Sequence, residues 1–119
     1  MQESGEMYLE SIIVLREKIG QVRAIDIVNH TGYTKPSISR ALSLLKKSGM
    51  ISVDNKGYIT LNPSGEELAL KILERHKLLT EFFKRIGVNP ETAAADACRI
   101  EHVISDETFE MIKNHISHL

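Results

Sequence analysis

The sequence feature that most constrains the fold is a change of hydrophobic period within residues 24–61. Two segments with apolar residues at helical spacing, Ala24–His30 and Lys35–Ser48, flank a tight turn at Thr31-Gly32-Tyr33. A hairpin follows, with two β-prone runs around a turn: Met50–Val53, Asp54–Gly57 and Tyr58–Leu61. Helix, short turn, helix and hairpin in this order predict a winged helix-turn-helix.

Apolar spacing and capping residues predict further helices on both sides of this segment. They run over about Glu6–Lys18, Gly65–Ile86, Pro90–Ile104 and Asp106–His118. Four residues of the first helix are expected to form a buried stripe: Tyr8, Ile12, Leu15 and Ile19. In the short helix that begins at Ala24, Ile25 and Val28 are expected to face inward. Ser64 and Glu67 have the spacing of a capping box, and Asn89 and Ser105 are expected N-caps.

These elements predict a mainly α fold with a small β-hairpin wing. We expect residues 1–63 to form a winged helix-turn-helix and residues 64–119 to form a helical domain. A chain of 119 residues buries a modest core, so a homodimer is expected. The predicted dimer contact is the stripe formed by Phe109, Ile112 and Ile116, and the alternative is that this stripe packs on the preceding helix.

Charge is divided unevenly along the chain, although the formal net charge is only −1. Residues 20–63 contain six cations and two anions, whereas residues 87–119 contain two cations and six anions. A basic half and an acidic half indicate that one binds an anion and the other binds a cation. There is no long apolar run and no signal peptide, and Cys98 is the single cysteine, so we expect a cytoplasmic protein without membrane contact.

The second helix of the predicted winged helix is suited to enter the major groove of duplex DNA. Its N-terminal part carries short polar and basic side chains off the apolar stripe, preceded by a good N-cap: Thr34, Lys35, Pro36, Ser37, Ser39 and Arg40. Arg40 is expected to contact guanine, and Pro36 a thymine methyl group. Lys46, Lys47 and Lys56 are expected phosphate contacts. The alternative is a winged helix that binds another protein.

Cys98, Glu101 and His102 are spaced i, i+3 and i+4, which would place a thiolate, a carboxylate and an imidazole on one helix face. Such a set suits a divalent transition metal. Met7 and Glu10 form a second pair on the first helix, and His76 is a further candidate. Each residue also has an ordinary structural explanation, since a lone cysteine is usually a small buried side chain.

Three segments resemble the diphtheria toxin repressor family, which includes iron-dependent repressors and manganese transport regulators: Glu6–Glu10, Arg75–Leu79 and Ala97–Ser105. The segment Thr34–Arg40 matches in the same order, so the resemblance covers nearly the whole chain. Members are homodimeric, metal-activated repressors with an N-terminal winged helix and a helical dimerisation and metal-binding region. The resemblance therefore implies double-stranded operator DNA, a second copy of the chain and a divalent metal as partners, and no small organic substrate.

The resemblance implies that Met7, Cys98, Glu101 and His102 form an iron-type primary site. His76 matches a metal-binding histidine of both branches, whereas Glu10 looks like the manganese branch. Because sulfur donors favour Fe(II) over Mn(II), we expect Fe(II), with Mn(II) as the alternative. Two further positions depart from the iron branch, where Thr80 and Ala94 replace ligands of its second site. Glu10 and His76 would then build a different second site or support the first from outside.

The expected function is a metal-dependent repressor of metal-uptake genes, in a short form without an SH3-like domain. A bound metal would connect the first helix to the acidic half of the chain. It would thereby set the distance between the two recognition helices of the dimer, one from each copy. The rival hypothesis is a winged-helix regulator switched by oxidation of Cys98. An enzyme is not expected, because no Ser-His-Asp arrangement, glycine-rich phosphate loop or His-Glu-x-x-His motif is present.

Overall fold

A computed structural model describes residues 3–117, with side chains from residue 5 onward. It contains α1 (Glu3–Ile19), α2 (Ala24–Thr31), α3 (Lys35–Lys47), β1 (Ile51–Val53), β2 (Ile59–Leu61), α4 (Pro63–Arg85), α5 (Pro90–Ile100) and α6 (Asp106–Ser117). The predicted mainly α fold with a hairpin wing is confirmed. His118, the last residue of the predicted C-terminal helix, lies outside the described residues.

The helix-turn-helix is formed by α2 and α3. Gly32 ends α2 with φ of 78°, a left-handed conformation that glycine adopts without strain. The side chain of Thr34 accepts a hydrogen bond from the Ser37 N–H, as predicted for an N-cap, and Pro36 lies in the first turn of α3. The sequence therefore determines both ends of the turn through local backbone chemistry.

The wing is the antiparallel pair β1–β2, in which Ser52 lies opposite Thr60. The Asp54 carboxylate organises the connecting turn, because it accepts hydrogen bonds from the N–H groups of Lys56 and Tyr58, each at 2.9 Å. Beyond the hairpin, the Ile59 N–H donates to the Val22 carbonyl at 2.8 Å. This bridge ties the wing to the segment that precedes α2.

Burial within the first five elements differs from the sequence prediction at two positions. Tyr8, Ile12 and Leu15 are buried as expected, but Ile19 is exposed because it is the last residue of α1. On α2 the fully buried residue is Ile27, whereas Ile25 is exposed. Val28, the other predicted inward residue, is half-buried, so the prediction is wrong at Ile25.

The start of α4 also differs from the prediction. The helix begins at Pro63, so Ser64 lies inside it and is not an N-cap. The Ser64 hydroxyl instead donates to the Gly49 carbonyl at 3.3 Å. Proline at the first helical position needs no hydrogen-bond acceptor, which explains why the helix starts earlier than the capping-box pattern indicated.

α5 is shorter than predicted and ends at Ile100 rather than near Ile104. Glu101 is its C-cap, and the Val103 and Ile104 N–H groups both bond to the Ile100 carbonyl in the turn that follows. The predicted N-caps are confirmed, because Asn89 accepts from the Glu91 N–H and Ser105 from the Thr108 N–H. Glu101 and His102 therefore belong to a turn rather than to a helix face.

The chain divides into two compact units between Leu70 and Lys71, within α4. The first unit comprises α1 to β2 with the start of α4. The second comprises the rest of α4 with α5 and α6, where Leu79, Ala93, Ala97 and Phe109 are buried. Among the described residues, no helix has the length and apolar character needed to span a bilayer.

Candidate nucleic-acid interface and metal centre

α3 has two distinct faces. One face is buried in the core of the first unit and carries Ile38, Leu42 and Leu45, with Ala41 half-buried beside them. The opposite face forms an open groove lined by Pro36, Ser39, Arg40, Ser43 and Leu44. Their spacing of three and four residues makes a continuous stripe along the helix. Ser39, Arg40 and Ser43 give this exposed and otherwise apolar stripe the hydrogen-bonding groups needed for contact with base edges.

Ser37 connects the N-cap of α3 to Arg40. Its hydroxyl oxygen accepts a hydrogen bond from the Thr34 hydroxyl at 2.9 Å and from the Arg40 guanidinium at 3.4 Å. Ser37 is half-buried, whereas Ser39 and Arg40 are exposed. Ser37, a predicted DNA contact, is therefore hydrogen-bonded to two other predicted contacts, Thr34 and Arg40.

The predicted phosphate contacts Lys46, Lys47 and Lys56 are all exposed, and so is Lys35 at the start of α3. Sequence reasoning did not single out Arg23 as an exposed cation beside the wing, where its guanidinium carbon lies 4.3 Å from the centre of the Tyr58 ring at the end of the hairpin turn. It also missed Ser43 and Leu44, although both lie at helical spacing from Ser39 and Arg40. That spacing was the available signal for them.

Met7 contacts the helix-turn-helix within the first unit. Its Sδ atom accepts a hydrogen bond from the Tyr33 hydroxyl at 3.6 Å, and the Tyr33 ring meets the Tyr8 ring edge to face at 6.2 Å. Burial raises the pKa of Tyr8, Tyr33 raises it further, and the charge of Arg40 lowers it. Glu10 lies one turn after Met7 on α1 and is half-buried.

In the second unit, a buried carboxylate lies between two imidazoles. Glu101 is only 1% exposed, and its Oε2 atom is 2.8 Å from Nδ1 of His76 on α4. Its Oε1 atom is 3.2 Å from Nε2 of His102, whose side chain is also buried. Each oxygen of one carboxylate thus faces a different imidazole. The structure brings these three predicted ligands together.

The donor set of this second unit fits a divalent transition metal. Ligand atoms at about 2.0–2.2 Å from one ion lie roughly 2.8–3.1 Å apart at right angles and roughly 3.3–3.6 Å apart in a tetrahedron. The separations of 2.8 and 3.2 Å around Glu101 are close to these values. Carboxylate and imidazole are both ordinary ligands of such ions. A cation would also offset the cost of burying the Glu101 charge.

Cys98 is more exposed than the other two predicted ligands of its segment, Glu101 and His102. It lies in the last turn of α5 with an exposed side chain, whereas Glu101 and the His102 side chain are buried. α5 ends at Ile100, so Glu101 is its C-cap and His102 lies in the turn that follows the helix of Cys98. Joint metal ligation by the three residues stays a prediction.

Comparison with known proteins places the chain among metal-dependent regulators. Residues 62–119 match the family model described as "Iron dependent repressor, metal binding and dimerisation domain". The transcriptional regulator MntR of Escherichia coli O6:H1 is 32% identical over 106 residues, which are 89% of this chain and 68% of that protein.

Two solved structures resemble the fold over most of this chain. A manganese-dependent transcriptional repressor in complex with manganese is 24% identical, with a TM-score of 0.87 over 95% of this chain and 52% of its own. IdeR of T. acidophilum is 25% identical, with a TM-score of 0.82 over 94% and 53%. The chain spans about half the length of these two structures.

Proposed function

The chain belongs to the diphtheria toxin repressor and manganese transport regulator family of metal-dependent transcriptional regulators, and we propose on this premise that it represses transcription when loaded with a divalent metal. It binds operator DNA as a homodimer in this proposal, and it has no catalytic role. The observation that carries the proposal is the Glu101 carboxylate buried between His76 and His102, in a chain that also contains an exposed recognition stripe.

The proposed ligands in the second unit are His76, Glu101, His102 and Cys98. Met7 and Glu10 complete the proposed set on the basis of the family resemblance, as does the role of residues 64–119 in dimerisation. The two oxygens of Glu101 face different imidazoles, which supports a carboxylate shared by two ions as well as one ligating a single ion. A bound ion would place positive charge next to the two buried oxygens.

We propose Fe(II) as the activating metal because Met7 and Cys98 are soft donors. Mn(II) is the second candidate, and the name of the manganese-dependent structural relative favours it. A Co(II) titration separates these cases, since thiolate ligation adds a sulfur-to-metal absorption band. We expect Cys98→Ser to remove this band and to lower the preference for Fe(II) over Mn(II). Equal spectra for the two proteins would assign Cys98 no ligand role.

The proposed DNA contacts are the α3 stripe with Thr34, Lys35 and Ser37, and the lysines Lys46, Lys47 and Lys56. The test is selection of bound duplexes from a randomised library by the full chain with Fe(II) under anaerobic conditions, with Mn(II), or with chelator. We expect enrichment of a palindromic sequence only with metal, because a symmetric dimer binds two half-sites. Equal enrichment with chelator, or none with either metal, would contradict the proposal.

The redox alternative makes a different prediction in the same assay. If Cys98 oxidation were the switch, Cys98→Ala would abolish regulation while the metal content of the wild-type protein stayed at zero. We expect instead that metal dependence persists in Cys98→Ala at reduced metal affinity.

A further inference from the structure

Arg75 is a buried cation next to His76 in the second unit. Its side chain is 9% exposed, and its guanidinium carbon lies 5.2 Å from the centre of the Phe109 ring. Nη1 donates to the Ile104 carbonyl at 2.8 Å and to the Glu101 carbonyl at 3.3 Å, and Nη2 contacts the Asp106 carboxylate. The two carbonyl acceptors lie in the segment that joins α5 to α6, and Asp106 is the first residue of α6.

This segment needs hydrogen-bond donors from outside. The last carbonyl groups of a helix have no partner within the helix, and Glu101 is the C-cap of α5. Arg75 supplies two donors in a fixed fork, which a lysine cannot reproduce. The guanidinium therefore connects the Glu101 and Ile104 carbonyl groups to the Asp106 carboxylate.

Two consecutive residues of α4 bind the same residue of the turn in different ways. Arg75 contacts the main-chain carbonyl of Glu101, whereas His76 contacts its side chain at 2.8 Å. The rotation of α4 thus sets both the position of the Glu101 backbone and the direction of its carboxylate. A displacement of the Glu101 backbone would also move His102, which is the next residue of the turn.

Burying an ion pair contributes little net stability, so the arrangement needs another explanation. Asp106 is mostly exposed and also lies 3.4 Å from Lys71, one turn before Arg75 on α4. The Asp106 carboxylate thus neutralises Arg75 from the solvent side, while Nη1 remains directed at the turn. Arg75 thus uses one nitrogen for the ion pair with Asp106 and the other for the carbonyl groups of the turn, as expected for a side chain that orients the backbone.

We propose that Arg75 is a positioning residue that holds the Glu101–Asp106 turn in the geometry required for metal binding. The proposal rests on the proposed metal function, and it adds a residue that is not itself a ligand. Groups that orient metal ligands typically change affinity by about 10–100-fold when they are replaced.

The test compares Arg75→Gln, Arg75→Lys and Asp106→Asn in the full chain. Arg85→Gln is the matched control, because Arg85 is an exposed arginine of α4 that also contacts a carboxylate, Glu81, and a carbonyl oxygen, that of Ile116. The first readout is the dissociation constant for Mn(II) and Co(II), with the ligand-field spectrum of Co(II). The second is hydrogen exchange of the Val103 and Ile104 amides in the metal-free protein.

We expect Arg75→Gln to weaken metal binding at least about tenfold and to alter the Co(II) spectrum. Arg75→Lys should recover part of the affinity, and Asp106→Asn should lose less because Arg75 keeps its carbonyl contacts. The two amides should exchange faster in Arg75→Gln and remain unchanged in Arg85→Gln. Wild-type affinity and exchange in Arg75→Gln would overturn the proposal.

Failure of the proposed function has a separate outcome. If the wild-type protein bound no metal, the metal role of Arg75 would fall with it. The exchange data would still show whether Arg75 holds the turn. Unchanged exchange of the Val103 and Ile104 amides in Arg75→Gln would then show that Arg75 does not hold the turn.

Discussion

Nδ1 of His76 lies 2.8 Å from Oε2 of Glu101, which links the middle of α4 to the C-cap of α5 across 25 residues of sequence. Glu101 is almost fully buried, so this contact substitutes for water at one oxygen of a carboxylate. Both residues are proposed metal ligands, and their separation is close to that of two ligands of one ion.

Glu101→Gln is expected to reduce Mn(II) or Fe(II) affinity by more than about 100-fold, because it removes the charge of a ligand rather than of a supporting group. The amide has nearly the same shape, so the fold should persist. Isothermal titration measures the loss. Glu74→Gln is the control, since Glu74 is an exposed carboxylate of α4 paired with Lys113. Similar losses in both variants would contradict a specific site at Glu101.

Metal is expected to stabilise the folded protein against urea. A ligand at 100 times its dissociation constant contributes about 2.7 kcal/mol, provided that it does not bind the unfolded chain. Adding chelator should remove this increment in the wild type and have no effect on Glu101→Gln. An unchanged urea midpoint on chelation of the wild type would count against a bound metal.

Arg40→Ala and Lys47→Ala are expected to affect DNA binding differently. Arg40 lies in the exposed stripe of α3, so its loss should cost about 1–3 kcal/mol on the selected sequence and relax base preference at one position. Lys47 lies at the C-terminal end of α3, and its loss should weaken binding to all sequences and reduce the salt dependence. Anisotropy titrations at several salt concentrations check both. The assignment fails if Lys47→Ala changes base preference and Arg40→Ala does not.

Gly65→Ala is expected to destabilise the protein, although this change in an exposed helix usually stabilises by roughly 0.5–1 kcal/mol. A methyl group at Gly65 would lie 2.9 Å from the carbonyl carbon of Met50 and would overlap its oxygen. We expect a loss of about 1–3 kcal/mol in the free energy of unfolding, measured by urea denaturation. Glu67→Ala, on the same turn but exposed, should be nearly neutral. A stabilised Gly65→Ala protein would show that α4 can move away from the wing.

Ionisation of the buried Tyr8 phenol in alkaline solution should lower the stability of the first unit. Burial raises the pKa of Tyr8 above its usual value of 10.0, so the folded state favours the neutral phenol. Its contribution is complete below pH 10 and is lost as pH rises through the folded pKa. Tyr8→Phe should unfold with a weaker pH dependence between pH 9 and 12 than the wild type. An identical dependence would exclude Tyr8 as a source of the alkaline loss.

Local sequence chemistry was sufficient for the elements whose ends are set by neighbouring residues. Thr34 with Pro36 begins α3, Asn89 with Pro90 begins α5, and Ser105 begins α6, each through contacts within three residues. The predicted capping box at Ser64 was wrong because Pro63 had already started the helix. The spacing of Ser64 and Glu67 is also a local pattern, but proline at position 63 is the stronger signal for the start of this helix.

The sequence alone determined that the chain has a helix-turn-helix with a hairpin wing and that its acidic half contains metal-ligand residue types. These conclusions rest on periodicity, capping and residue chemistry, which act over a few residues. Only the tertiary structure decided that α5 ends at Ile100, that His76 faces Glu101, and that Arg75 contacts the carbonyl groups of Glu101 and Ile104. The contacts made by His76 and Arg75 join residues more than 20 positions apart, and they depend on how α4 packs against the turn after α5.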